Sequence, residues 1–79
     1  MIEGPFAKRV KEIDVELGAR IRKRRRVVGL TQVKFGERLG VSFQQLQKYE
    51  TGVNRIAVST LVVMAEILAV SIIEILEDI

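Results

Sequence analysis

The feature that most constrains the fold is a repeated set of helix start and stop signals within Leu30–Gly52. Thr31 is placed to cap a first helix, because its side-chain oxygen can accept a hydrogen bond from an unpaired backbone N–H group. Gly40 ends that helix, since a residue without a Cβ enters the left-handed conformation at low cost. Ser42 is placed to cap a second helix, which ends at Gly52. Two short helices joined by a tight turn form a helix-turn-helix unit.

The second helix of this unit presents a face that suits contact with base pairs. The residues expected to face inward from the two helices and the turn are Val33, Phe35, Gly36, Leu39, Val41, Leu46 and Tyr49. The residues left outward on the second helix lie within an arc of about 140°, and they are Phe43, Gln44, Gln47 and Lys48. Gln can pair with adenine, Lys with guanine, and an apolar group with the thymine methyl. A merely solvated face is the alternative, but the two capped helices favour base reading.

Several residues of the unit resemble the lambda-repressor-like helix-turn-helix family, the phage repressor and Cro class also called XRE. The resemblance extends from about Leu17 to Leu76 and is carried by Thr31-Gln32, Gly40-Val41-Ser42, Tyr49-Glu50 and Gly52. It implies an all-α fold, a compact bundle of about five short helices with the helix-turn-helix at helices 2 and 3. It also implies a sequence-specific transcriptional regulator that binds double-stranded DNA, a repressor that recognises a palindromic operator as a dimer.

Arg25 is expected to be buried although it lies in a run of basic residues. It follows Ile21 by four positions and precedes Val28 by three, on a stripe with Leu17 that we expect to face the core. A buried charge without a partner is costly. Glu50, at the end of the second helix of the unit, is the natural partner, and the resemblance implies an internal ion pair at these two positions. The other basic residues of this run are Arg20, Arg22, Lys23, Arg24 and Arg26. Most of them are expected to be solvated and to attract DNA at long range.

Five residues in and around the unit are candidates for contact with the phosphate backbone. Thr31 and Gln32 begin the first helix, whose unpaired N–H groups form an anion site that the Gln32 amide can extend. Ser42 begins the second helix. Asn54 and Arg55 follow in the next loop, where the resemblance places backbone contacts. A solvated turn is an equally good interpretation of each loop residue taken alone.

The composition leaves little material for a catalytic site. The chain has no cysteine and no histidine, which removes thiolate nucleophiles, histidine bases and ordinary zinc sites. We therefore expect no enzyme activity, no metal and no cofactor, and the lack of cysteine suits a reducing cytoplasm. Residues 1–30 contain nine Lys or Arg and four Asp or Glu, whereas residues 56–79 contain four acids and no base. This asymmetry suits the approach of a polyanion to one side.

Two interpretations of residues 1–13 are open. Three basic residues after Gly4-Pro5 would suit a flexible arm on the DNA backbone. Pro5 also suits a first helical position, and helical spacing relates Phe6, Val10, Ile13 and Leu17. The first helix therefore begins either near Pro5 or near a cap at Asp14, and residues 14–79 are expected to form the DNA-binding domain.

The end of the chain carries more apolar residues than one buried stripe needs. Helices are expected over residues 58–68 and, after a cap at Ser71, over about residues 72–78, with Val58, Leu61, Ala65, Leu68, Ile72, Ile75 and Leu76 facing the core. Val63, Ile67 and Ile73 fall on faces that the resembling family usually gives to polar or small residues. Exposed apolar surface of this kind marks an association site, so we predict a homodimer through residues 58–78.

Three alternatives would also account for this apolar surface. A C-terminal part missing from the sequence could cover it. A second protein could bind it, as in an antitoxin-type or controller-type module whose DNA binding is secondary. Residues 56–76 also have about the length of a membrane span, but Glu66 at the centre would cost roughly 2.5–3.5 kcal/mol on insertion scales. We therefore expect no membrane partner.

Overall fold

The computed structural model describes residues 3–79, which form an all-α bundle. The helices are α1 (Ala7–Val27, preceded by a 3₁₀ turn at Gly4–Phe6), α2 (Gln32–Leu39), α3 (Phe43–Thr51), α4 (Val58–Leu68) and α5 (Ile72–Leu76). The predicted all-α fold, with the helix-turn-helix at the second and third helices, is confirmed. None of the helices in the described range is long and apolar enough to cross a membrane.

Most of residues 1–13, for which both a flexible arm and a helix were considered, belongs to the first helix. It begins at Ala7, directly after the turn that contains Pro5, and it passes through Asp14 without interruption. Phe6 stays exposed, whereas Val10 and Ile13 are half-buried. Of the predicted arm, Met1 and Ile2 lie outside the described residues.

The core lies between α1, the helix-turn-helix unit and the two C-terminal helices. Ten apolar residues are buried in it: Leu17, Ile21, Phe35, Leu46, Ile56, Leu61, Met64, Ala65, Leu68 and Ile75. Met64 and Ile56 were not predicted from the sequence. Met64 lies three residues after Leu61 and four before Leu68, which places it on the same stripe of α4.

Three valines predicted to face the core are exposed, and all three lie at helix ends. Val28 caps α1 with φ −83° and ψ 0°, so its side chain leaves the helical stripe of Ile21. Val33 lies about 110° around α2 from the centre of the buried face. Val58 is the first residue of α4 and lies about 70° from the buried stripe of that helix. Val28 thus departs from regular helical spacing at the end of α1, whereas for Val33 and Val58 the regular spacing itself places the side chain away from the buried face.

Helix α1 crosses the C-terminal end of α3 with almost no space between the two backbones. A Cβ on Gly18 would lie 2.7 Å from the Glu50 carbonyl oxygen and still closer to that of Tyr49. A Cβ on Gly52 would lie 2.7 Å from the Cα of Val15. Real Cβ atoms do not approach other atoms so closely, so these two glycines fix where α1 contacts the unit.

Arginines of α1 also hold the C-terminal segment. Arg20 donates from Nη1 to the carbonyl oxygen of Ile75 over 2.8 Å and to that of Glu77, and Arg9 donates to the carbonyl oxygen of Ile79. Helix α5 ends at Leu76, two residues before the predicted Asp78, and leaves these carbonyls without helical partners. Arg20 belongs to the basic run that was expected to be mostly solvated, but its guanidinium binds the end of the bundle.

Candidate nucleic-acid interface

The caps of α2 and α3 have the geometry that their residue types predict. The Thr31 hydroxyl accepts from the Lys34 N–H and the Ser42 hydroxyl accepts from the Gln45 N–H, each over 3.1 Å. Gly40 ends α2 with φ 85° and Gly52 ends α3 with φ 78°, both in the left-handed region. The two helices are therefore bounded at both ends by local interactions, and the turn between them is short.

The outward face of α3 is formed by the four residues proposed for base contact. Phe43, Gln44, Gln47 and Lys48 are all exposed, whereas Leu46 on the opposite side is fully buried. The structure thus brings these side chains together on one helical face. The Gln45 side chain lies to one side and is half-buried, and its carbonyl oxygen accepts from the Asn54 amide over 3.4 Å.

A buried ion pair joins α1 to the end of α3. Arg25 Nε donates to Glu50 Oε2 over 2.6 Å and Nη2 donates to Oε1 over 3.0 Å, in a bidentate arrangement. The side chains are only 8% and 1% exposed. Arg25 Nη1 donates to the Leu30 carbonyl oxygen over 2.9 Å. The pair expected from the sequence is thus present, and it also holds the residue that precedes the cap of α2.

A chain of amide hydrogen bonds leads from this ion pair to the outward face of α3. Gln32 donates from Nε2 to Glu50 Oε1 over 3.1 Å, and Gln47 donates from Nε2 to Gln32 Oε1 over 3.1 Å. Gln32 was predicted only as a phosphate contact, and its bridging position was not predicted from the sequence. Gln47 Oε1 accepts no hydrogen bond from the described residues, and the side-chain amide is oriented through Gln32 by the buried carboxylate.

The five residues proposed for phosphate contact surround this face, but their side chains differ in how freely they can move. Thr31 and Ser42 are exposed at the two helix N-termini. Gln32 and Asn54 are half-buried and already hydrogen-bonded within the protein. The exposed Arg55 side chain donates from Nε to Asp14 Oδ2 over 3.1 Å. The structure therefore places an acid, Asp14, beside Arg55, a contact that was not predicted from the sequence.

The match to a family model agrees with this geometry. The helix-turn-helix family model covers residues 21–75, which include all of α2 and α3 and the caps described above. The chain belongs to the XRE-type helix-turn-helix family. The resemblance inferred from Thr31-Gln32, Gly40-Val41-Ser42 and Tyr49-Glu50 is therefore confirmed.

Similar proteins include regulators from several bacteria. An uncharacterized HTH-type transcriptional regulator of Rhizobium meliloti is 46% identical over 71 residues, which are 90% of this chain and 51% of that protein. An uncharacterized transcriptional regulator in the ATPase CF(0) region of Rhodospirillum rubrum is 48% identical over 63 residues, which are 80% of this chain and 58% of that protein. The chain spans about half the length of the curated relatives it matches.

A solved structure shows the same arrangement of helices. The clp gene regulator ClgR from C. glutamicum matches with a TM-score of 0.78 and 26% sequence identity, over 81% of this chain and 83% of that chain. The arrangement of helices described here therefore also occurs in a solved regulator.

The C-terminal helices of this helix-turn-helix chain leave part of their apolar surface exposed. Val63 and Ile73 are exposed, and so is Val62, which precedes Val63 in the sequence. Ile67 was placed in the same predicted interface, but it is half-buried and packs against the core. Its side chain is therefore partly used in packing within the bundle. Of the three residues predicted for the interface, Val63 and Ile73 are therefore the exposed ones, and Val58 of α4 adds further exposed apolar surface.

The part of the chain between residues 3 and 79 offers no cluster of three or more His, Cys, Asp or Glu side chains that could hold a metal ion. The acids near the interface are instead engaged with arginines, Glu50 with Arg25 and Asp14 with Arg55. The candidate interface thus presents amides, hydroxyls, cationic side chains and the aromatic ring of Phe43.

Proposed function

We propose that this chain is a sequence-specific regulator of transcription, a repressor that binds a palindromic operator in double-stranded DNA as a homodimer. The observation that carries the proposal is the exposed face of α3, whose Gln47 is connected through Gln32 to the buried Arg25–Glu50 pair. A reading surface must hold its side chains in place before binding, since every side chain ordered on contact weakens the complex. The network supplies that order, and the names of the similar proteins support a regulatory role.

Base readout would come from α3 in the major groove, which is wide enough to admit an α-helix. Gln44 is the residue we propose for the main base contact, because its amide is exposed and can pair bidentately with adenine. Phe43 offers an apolar surface to a thymine methyl group. Gln47 and Lys48 would contact neighbouring base pairs from the same face.

Backbone contacts would come from the margins of this face. The N-termini of α2 and α3 direct unpaired N–H groups outward at Thr31 and Ser42, and helix N-termini favour anions. Asn54 and Arg55 would contact phosphate from the loop after α3. Such contacts position a protein on DNA but carry little sequence information directly.

Dimerisation would use the exposed apolar residues of the C-terminal helices, Val63 and Ile73 in particular. A dimer would set two α3 helices about 34 Å apart, one turn of DNA, in successive major grooves of a palindromic site. The same surface also supports a second candidate function, the binding of a different protein with DNA binding secondary. The two candidates differ in the partner that covers the surface, so the oligomeric state of the free protein separates them.

The proposal is tested by selecting bound duplexes from a random pool and titrating the selected duplex and random DNA at the same salt concentration. A specific regulator should bind the selected duplex at least about a thousandfold more tightly than random DNA, and the enriched sequence should be palindromic. Enrichment of no sequence, with affinities within about tenfold of each other, would contradict sequence-specific regulation.

A further inference from the structure

Arg55, proposed above as a phosphate contact, is held by an acid from a distant part of the chain. Its Nε donates to Asp14 Oδ2 over 3.1 Å, and the two residues are 41 positions apart. The Asp14 side chain is only 13% exposed, whereas that of Arg55 is 59% exposed. The carboxylate therefore lies against the protein surface and the guanidinium projects away from it.

The loop that carries Arg55 is also held to the same segment of α1. Lys11 Nζ donates to the Gly52 carbonyl oxygen over 2.8 Å. Gly52 approaches Val15 so closely that a Cβ at position 52 would lie 2.7 Å from the Val15 Cα. Residues 11–15 of α1 thus contact Gly52, at the start of this loop, and the exposed side chain of Arg55.

The geometry leaves the phosphate-binding end of Arg55 free. Asp14 occupies the Nε–H group, and the described residues provide no hydrogen-bond acceptor for either Nη group. Two Nη groups offer four donors in a plane, which can bind phosphate oxygens in a bidentate way. An arginine without a partner at this position would instead sample many rotamers and lose that freedom on binding.

We propose that Asp14 is a positioning residue for DNA-backbone binding, which orients Arg55 so that its two Nη groups face a phosphate. This inference rests on the proposed function, because it requires that the loop after α3 lie against DNA. Asp14 itself would not contact DNA. The phosphate would bind on the side of the guanidinium opposite the carboxylate, so the ion pair would persist in the complex.

A positioning role and simple electrostatics predict opposite changes in DNA affinity when Asp14 is replaced. Removing an acid near a DNA-binding surface reduces repulsion of the phosphates and, on electrostatic grounds alone, strengthens binding. Loss of positioning weakens binding, because Arg55 must then be ordered in the complex. We expect Asp14→Ala to weaken binding about two- to tenfold on selected and random duplexes alike, the cost of ordering one long side chain.

Glu12→Gln is the matched control, since Glu12 is an exposed acid on the same helix with no ion-pair partner among the described residues. It removes the same charge and should leave affinity unchanged or raise it. Asp14→Asn keeps the shape and a neutral acceptor, so it should fall between the wild type and Asp14→Ala. Thermal melting of each variant shows that the titrated protein is folded, and Asp14→Asn carries the test if Asp14→Ala does not fold.

A double-mutant cycle identifies the route of the effect. In an Arg55→Ala background, Asp14→Ala should cause no further loss, because the side chain that it positions is absent. Arg55→Ala should lower the magnitude of the slope of log affinity against log salt concentration by about one unit, because one phosphate contact is lost. Asp14→Asn should keep that contact and the wild-type slope.

Tighter or unchanged binding by Asp14→Ala and Asp14→Asn, or an equal loss with and without Arg55, would overturn the positioning role and leave the proposed function standing. If the wild-type protein binds no selected duplex more tightly than random DNA, the proposed function and this inference fail together. The wild-type titration alone shows that outcome.

Discussion

Replacing Glu50 with alanine should remove a large part of the stability of this protein. The variant leaves Arg25 with one carbonyl partner at 2.9 Å and no carboxylate, in a position where its side chain is 8% exposed. Breaking a buried ion pair by removing one partner costs about 3–5 kcal/mol. A chain of 79 residues has a total unfolding free energy of roughly 4–12 kcal/mol at 0.05–0.15 kcal/mol per residue. We therefore expect the melting temperature to fall by more than about 10 °C.

The measurement is urea and thermal unfolding followed by circular dichroism. Glu37→Ala is the matched control, because it removes the carboxylate of an exposed pair with Lys34 at 3.7 Å and should cost less than about 1 kcal/mol. An Arg25→Met/Glu50→Leu variant should be more stable than Glu50→Ala, since no unpaired charge is left in the core. A Glu50→Ala variant that unfolds at the same temperature as Glu37→Ala would contradict a stabilising role for the carboxylate beside the buried Arg25.

Three further predictions concern stability and association. Gly18→Ala should destabilise the protein by about 1–3 kcal/mol, as in an overpacked core, although alanine favours an isolated helix by about 1 kcal/mol. A variant that is more stable than the wild type in urea unfolding would contradict the close approach of α1 to α3. Arg20→Ala should lower the unfolding free energy by about 1–2 kcal/mol, because its contacts with two carbonyl oxygens are lost. Replacement of the exposed Lys23 by alanine should change it by less than about 0.5 kcal/mol, and equal effects of the two variants would show that Arg20 is only solvated. Ile73→Glu should convert a dimer into a folded monomer in sedimentation equilibrium at micromolar concentration, and a wild-type protein that is already monomeric would remove the dimer proposal.

Local chemistry made the helix-turn-helix unit predictable from the sequence. Thr31, Ser42 and Ser71 each cap a helix through a hydrogen bond to an N–H group three residues later. Gly40 and Gly52 adopt the left-handed conformation that ends a helix. These interactions depend on residues within one helical turn, so the sequence alone is sufficient to place them.

Contacts between distant segments were not predictable in the same way. Asp14 and Arg55 are 41 residues apart, and Gln32 and Glu50 are 18 residues apart. Nothing in the residue types distinguishes Asp14 from other acids of α1 until the crossing of α1 over α3 is known. The Gly18 approach is likewise a property of the tertiary packing, although a glycine inside a helical segment is a signal that could have been followed.

The Arg25–Glu50 pair is the exception among long-range contacts. Its prediction combined a local observation, an arginine on an apolar stripe, with the energetic need of a buried charge for a partner. The choice of Glu50 came from the family resemblance. Physical reasoning thus identified the need for an acid, and the resemblance supplied its position.

Gln44→Ala tests whether the outward face of α3 reads base pairs. The selected operator is substituted one base pair at a time, and the affinity of wild-type and variant protein is measured for each duplex at constant salt. Gln45→Ala, a change on the same helix but off the outward face, is the matched control and should affect all duplexes alike.

For the wild type, each wrong base pair should cost about 1–3 kcal/mol. In Gln44→Ala this discrimination should disappear at one position in each half-site, while the affinity for random DNA stays the same. A Gln44→Ala variant that loses affinity equally on every duplex, random DNA included, would contradict base reading by this face.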